Sequence, residues 1–135
     1  MILMNAYTYR GYDFERACRK AREHGWEGIE LCPCHFRDQD LAEAKSWIGD
    51  TMAKYGVTAP VAWGADVIQD DRDAARASLD KLMAGLPHLK ELGVEKINSG
   101  VGALWSEDRS QSGSQVATEV HYERAAEAFK LVMRE

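Results

Sequence analysis

A glycine followed by a short β-rich run occurs three times in this chain, each time after an amphipathic helical pattern. The copies are His24-Gly25-Trp26-Glu27-Gly28-Ile29-Glu30-Leu31, Tyr55-Gly56-Val57-Thr58-Ala59-Pro60-Val61 and Leu92-Gly93-Val94-Glu95-Lys96-Ile97-Asn98. Glycine stops a helix in the left-handed conformation because it has no Cβ to clash. The three glycines lie 31 and 37 residues apart, about the length of one strand–helix unit. A repeat of strand, helix, glycine, strand predicts a parallel sheet with helices packed outside it. It also places function, since ligands of such folds collect at the C-terminal ends of the strands.

The rest of the pattern fills in four such units. Strand 1 is expected over Ile2 to Tyr7, and Asp13 is placed to cap a helix in which Phe14, Ala17, Cys18 and Ala21 share a face. Strand 2 is expected from about Glu27 to Cys34. Asp40 can cap a second helix with the stripe Leu41, Ala44, Ile48, Met52 and Tyr55. Strand 3 runs from Val57 to Trp63, and its Pro60 is unusual for a central strand because it cannot donate to the ladder. A third helix, about Asp71 to Leu92, turns Leu79, Leu82, Met83, Leu86 and Leu89 inward, and Pro87 is expected to kink or split it. Strand 4 follows from Val94 to Ser99. The polar stretch from Ser106 to Thr118 is either a functional loop or disordered. A fourth helix, about His121 to Arg134, carries Tyr122, Ala125, Ala126, Phe129 and Val132 on one face.

The expected fold class is therefore α/β, of the (β/α) barrel type, with about four units. Closed barrels of this kind need eight strands and typically about 250 residues. The 135 residues here suit one domain, 1–135, incomplete at its C-terminus and with a strand exposed at each edge. Three architectures stay open: a truncated barrel, a half-barrel that pairs with another copy, and a small open sheet.

Composition narrows the partners. A formal charge of −5 argues against a surface built for nucleic acid, which wants a basic patch. Met1-Ile2-Leu3-Met4-Asn5 lacks the basic start of a signal peptide, and no apolar run approaches the roughly 20 residues of a membrane span. Three cysteines do not make a disulfide framework, so a reducing cytoplasm is the expected setting.

The candidate chemistry sits at the strand ends. Alternation puts Ile29 and Leu31 on one face of strand 2, and Gly28, Glu30 and Cys32 on the other. Glu30 then faces the barrel interior, as a buried hydrogen-bond acceptor or as part of a polar pocket. Cys32-Pro33-Cys34-His35 resembles a metal motif, but zinc sites want a wider cysteine pair and a second pair elsewhere. His35 is either a pocket residue or a solvated loop residue. Trp63, before Gly64-Ala65-Asp66, offers an apolar wall for a sugar face or a plug in the barrel mouth. Asn98, before Ser99-Gly100-Val101-Gly102, suits a polyhydroxylated ligand because an amide both donates and accepts. Tyr7 and Tyr9, just past strand 1, can line the same mouth. His24 sits at a helix end, and His88 and His121 fall on helices, so all three read as structural.

Phe14 to Leu31 (FERACRKAREHGWEGIEL), Tyr55 to Trp63 (YGVTAPVAW) and Leu92 to Gly102 (LGVEKINSGVG) resemble the sugar phosphate isomerase/epimerase family. That family belongs to the xylose-isomerase-like TIM barrels, which also include the AP endonucleases. The resemblance implies the N-terminal half of an eightfold barrel. It implies metal-assisted proton transfer on a sugar or sugar phosphate in the whole protein, with a divalent ion (Mn, Mg, Co or Zn) held by carboxylates and a histidine of strands 5 to 8. No metal ligand carries over to this chain. Tyr7, Glu30, His35, Trp63 and Asn98 are the expected substrate-binding residues, and the chain alone is expected to be inactive. The alternatives are a non-catalytic half-barrel that self-associates and, with less support, an AP-endonuclease-like nuclease; the nuclease branch uses histidines that the ends of strands 3 and 4 lack.

Overall fold

All three repeated glycines are left-handed, with φ of 73° at Gly25, 61° at Gly56 and 84° at Gly93. Each is closed by the same pair of hydrogen bonds. The N–H of Gly25 reaches the Arg22 carbonyl and that of Trp26 the Ala21 carbonyl. Gly56 and Val57 repeat the pattern onto Ala53 and Met52, and Gly93 and Val94 onto Lys90 and Leu89. These are Schellman closures, which satisfy the last carbonyls of a helix and turn the chain back toward a strand.

The computed structural model describes residues 2–36, 39–98, 104, 106 and 110–134. The strands are β1 (Leu3–Asn5), β2 (Gly28–Leu31), β3 (Thr58–Trp63) and β4 (Lys96–Asn98). The helices are α1 (Phe14–Glu23), α2 (Leu41–Tyr55), α3 (Arg72–Glu91) and α4 (Glu119–Val132). The strands form one sheet in the order β1-β2-β3-β4, every pair parallel. Sequential order means that every crossover steps in the same direction, as barrel units do, whereas a doubly wound sheet reverses at a switch point. The fold is α/β, with four strands and four helices making half of a TIM-type barrel.

The chain divides into two compact units. One comprises Met1–Trp63 and Pro87–Asn98, the other Gly64–Leu86 and Ser99–Glu135. The first holds the whole sheet. The α1 face expected from the sequence is fully buried at Phe14, Ala17, Cys18 and Ala21, and Asp13 caps the helix through the N–H of Arg16 at 2.7 Å. On the sheet, Met4, Ile29, Leu31 and Ala62 share the buried outer face. Pairing puts Asn5, Glu30, Val61 and Lys96 on the opposite, inner face, with Trp63 and Asn98 one step further on. Glu15 of α1 accepts from Lys54 (2.6 Å) and Tyr55 (2.7 Å) of α2, and these bonds, Lys54 first, hold its carboxyl below the usual range.

Pro60 is accommodated by a bulge. Between the Gly28–Thr58 and Glu30–Val61 pairs, β3 holds one residue more than β2. The extra residue breaks the ladder where Pro60 has no N–H to offer, while its carbonyl still accepts from Glu95 at 2.9 Å. Gly28 is fixed beside that bulge: a Cβ there would lie 2.5 Å from the Thr58 carbonyl oxygen and 2.9 Å from its hydroxyl.

Several boundaries differ from the sequence expectation. Strand 1 ends at Asn5, because its side chain accepts from the N–H of Tyr7 at 2.9 Å and winds Ala6–Tyr9 into a 3-10 turn. Strand 2 ends at Leu31; Pro33 opens another 3-10 turn, Pro33–His35, and the Cys32 sulfur accepts from Cys34 N–H. Asp40 stands at the N-cap of α2 without a side-chain capping bond. The third helix is not split: α3 runs unbroken through Pro87, although that residue leaves the Met83 carbonyl without its usual donor. Strand 4 covers Lys96–Asn98, and Ser99 to Gly102 lie outside the described residues.

The second unit has its own core: Ala65, Val67, Ile68, Leu79, Leu104 and Ala128, flanked by Leu82, Met83, Val116 and Ala125. The described part of the polar stretch is folded, with Ser106 and Gln111 exchanging bonds, Gly113 bonded to Leu104, and a 3-10 turn at Gly113–Gln115. The α4 face is rotated from the expected one. His121 and Ala128 are buried, with Ala125 and Val132 beside them, whereas Tyr122 and Phe129 are exposed. The cause is polar: His121 Nδ1 accepts from Thr118 N–H at 2.9 Å and its Nε2 meets Asp70 at 3.1 Å, which turns that side of the helix inward. No described helix is long and apolar enough to cross a membrane.

Two measurements check this packing. Gly28→Ala should cost about 1–3 kcal/mol in urea denaturation through overpacking, while Gly11→Ala, with open space around it, should stay within about 0.5 kcal/mol. Equal effects would contradict the close approach of β2 and β3. The second concerns Cys18, whose thiol is pushed up to about 12 by burial, with the Glu15 charge adding to it. The unfolded chain loses this proton near pH 8.5, so the native state binds more protons above that point and stability falls as pH rises toward 12. Cys18→Ala should therefore flatten the decline of stability between pH 9 and 11 relative to wild type; parallel curves would mean that the thiol ionises freely.

Candidate functional site

The five residues singled out from the sequence all lie in the sheet-bearing unit, at or just past the C-terminal ends of strands. Glu30 is the penultimate residue of β2 and only 8% exposed. Burying a carboxylate is costly unless its oxygens find donors, and both do. Oε2 accepts from Asn5 Nδ2 at 2.7 Å, and Oε1 from Asn98 Nδ2 at 2.5 Å. These partners are the last residues of β1 and β4, 25 and 68 positions away. One carboxylate thus ties three strand ends together.

Trp63, last in β3, pairs in register with Asn98. Its indole stacks on the Tyr7 ring, centroids 5.0 Å apart and planes 19° from parallel. The Arg10 guanidinium lies over Tyr7, 4.6 Å from its centroid. Trp63 and Arg10 thus both pack on the Tyr7 ring, which is 41% exposed. Such a stack contributes roughly 0.5–1.5 kcal/mol beyond the area it buries. Within it, Trp63 Nε1 is buried and has no partner among the described residues.

His35 occupies the turn after β2. Its Nε2 lies 3.1 Å from the Ala6 carbonyl oxygen and its Nδ1 3.1 Å from that of Tyr12. The ring straps down the segment that carries Tyr7. The structure thus brings Glu30 against Asn98 and Tyr7 against Trp63, and sets His35 behind Tyr7. Cys32 is buried, Cys34 half-buried, and neither is in a disulfide. Among the described residues, no group of three His, Cys, Asp or Glu side chains could hold a metal ion.

Two members were missed from the sequence. The sequence pattern shows Asn5 only as part of a strand, yet it sits at the end of β1 as Asn98 sits at the end of β4; two amides closing two strands is the available signal. Arg10 had no signal beyond its place three residues after Tyr7. The unpartnered indole nitrogen gives a direct check. Trp63→Phe keeps a ring on Tyr7 and removes a buried donor whose isolation costs about 1–3 kcal/mol, so stability should change by less than about 1 kcal/mol. Trp63→Ala should lose about 3 kcal/mol. A loss as large for Phe as for Ala would show that the nitrogen, and not the stack, supports this end of the sheet.

No family model matches the sequence, and no curated protein matches it. Solved structures do. D-psicose 3-epimerase, in a crystal with D-fructose present, is similar with a TM-score of 0.66 and 19% identity, over 96% of this chain and 46% of its own. The apo form of 3-keto-D-glucoside 4-epimerase from E. coli is similar with a TM-score of 0.66 and 12% identity, over 98% of this chain and 50% of its own. The chain spans about half the length of both, and identities this low report on the fold. The fold of this chain is that of about half a TIM-type barrel, as in those two structures.

Proposed function

We propose that this chain forms one wall of a sugar-binding site in a protein of the isomerase/epimerase type, with a sugar or sugar phosphate as ligand. The observation that carries the proposal is the convergence of Tyr7, Trp63, Glu30 and Asn98 at one end of a parallel sheet. An aromatic ring packs against the C–H face of a sugar, and an amide bonds its hydroxyls. Tyr7, Trp63 and Asn98 supply these contacts. Glu30 supports them from below, and His35 lines the rim while holding the Tyr7 segment. The likeness to two sugar epimerases supports the ligand class.

In the whole protein the chemistry would be metal-assisted proton transfer at a carbon next to a carbonyl. A divalent ion supplies Lewis acidity in such chemistry. The described residues of this chain do not fit one: hard ions want several carboxylate oxygens, and each oxygen of Glu30 is occupied by an amide. The role of these residues is to bind and orient. A second reading is a non-catalytic half-barrel whose two copies pair along β1 and β4, each of which has a strand neighbour on one side only among the described residues. Unpaired strand edges invite such pairing, and light scattering on the purified chain distinguishes a defined dimer from a monomer.

The test is a titration of the purified chain with D-fructose and D-psicose, followed by NMR, alongside turnover assays with manganese, magnesium and cobalt. Saturable shifts at Tyr7, Trp63 and Asn98 without turnover are expected. Tyr7→Ala should weaken binding by about tenfold, the equivalent of one lost stacking contact. No shift with any ketose would remove the carbohydrate assignment. Metal-dependent turnover by this chain would show that it carries an acid/base pair of its own.

A further inference from the structure

Asn5 and Asn98 both give their Nδ2 to Glu30, but their carbonyl oxygens have different fates. Asn5 Oδ1 is used inside the chain, accepting from the Tyr7 N–H at 2.9 Å. Asn98 is exposed, and among the described residues nothing donates to its Oδ1. A free asparagine can turn its amide over and offer either a donor or an acceptor. A carboxylate accepts only, so an amide bonded to it has a fixed direction. With Nδ2 committed to Glu30, the planar carboxamide must present Oδ1 on its other side.

We propose that Glu30 is a positioning residue that fixes Asn98 as an acceptor, so that this end of β4 selects the hydroxyl-bearing part of a ligand. An acceptor here welcomes an O–H and disfavours groups that only accept, such as a phosphate, a bare carbonyl or an ether oxygen. If the ligand is a sugar phosphate, its phosphate lies away from Asn98. The buried position of Glu30 fits this role: its carboxylate is behind the amides and reaches the ligand through Asn98. The inference rests on the carbohydrate assignment above for its ligand, but the direction of the Asn98 amide can be tested without one.

The experiment uses D-fructose as the probe and follows the side-chain amide signals of 15N-labelled chain. Glu30→Gln keeps the shape but offers one acceptor and one NH2 group, so one asparagine must turn over. Binding of D-fructose should weaken by about tenfold, the scale of one hydrogen bond, and the Asn98 side-chain signals should move and lose protection from exchange. The double variant Glu30→Gln/Asn98→Asp restores the polarity. The new glutamine gives its NH2 to the new aspartate and accepts from Asn5, leaving the second aspartate oxygen facing outward. Its affinity should return to within about threefold of wild type. Unchanged binding in Glu30→Gln overturns the proposal, and so does failure of the double variant to recover, which would mark Glu30 as a purely structural contact. If the wild type binds no ketose, the carbohydrate assignment fails on its own account. The clamp is then decided by the ligand-free signals: slow exchange of the Asn98 side-chain amide in wild type supports it, and free exchange there overturns it, whether or not Glu30→Gln folds.

Discussion

The Glu30 carboxylate is the constraint on which the sheet's inner face is arranged. Isolated, a charge in that position would cost several kcal/mol of desolvation. Bonded to Asn5 and Asn98 it joins the last residues of β1 and β4 to β2. Backbone ladders already pair neighbours, so the addition is a link from β2 to β4 across β3. This link spans 68 positions of sequence, and it requires that the strand ends come level. Two backbone features near β2 make that possible. Gly28 lets the β3 backbone approach more closely than any side chain would allow, and the bulge at Pro60 advances β3 by one residue against β2. Without that extra residue, side-chain alternation would bring Ala62 to the inner face instead of Trp63.

What the sequence made legible were features enforced locally. Gly25, Gly56 and Gly93 take left-handed backbone because the helix ends require it, whatever the tertiary context. The α1 stripe was readable because its small and apolar residues face both β2 and α2 with no polar competitor. Misreadings arose where a polar side chain overruled a hydrophobic pattern. On α4, the stripe through Tyr122 and Phe129 was the more apolar, yet the bonds of His121 to Thr118 and Asp70 set the rotation instead. At Asn5, a side-chain cap on Tyr7 ended the strand two residues before its β-rich run did. Both bonds depend on geometry a few residues away, which hydropathy does not encode. The candidate site was legible in the same measure. Strand ends can be located from the sequence, so the common placement of Tyr7, Glu30, Trp63 and Asn98 at them is legible, but the contacts among them cross three strands and have no sequence signal.

The chemical character of that end follows from which groups remain free. Stacking joins the Trp63 indole to the Tyr7 ring, on which Arg10 also packs. Both His35 nitrogens face backbone carbonyls. Both oxygens of Glu30 accept from amides. Glu30 is thus already engaged in holding two other strand ends, and using it as a base would release one of them. Among the described residues nothing donates to Asn98 Oδ1, which is left as an acceptor that carries no proton at neutral pH. On the proposed carbohydrate reading, recognition would be built into the scaffold: the bonds that fix Asn98 are the same ones that tie the ends of β1, β2 and β4 together, so altering selectivity and altering the sheet's stability would be coupled changes.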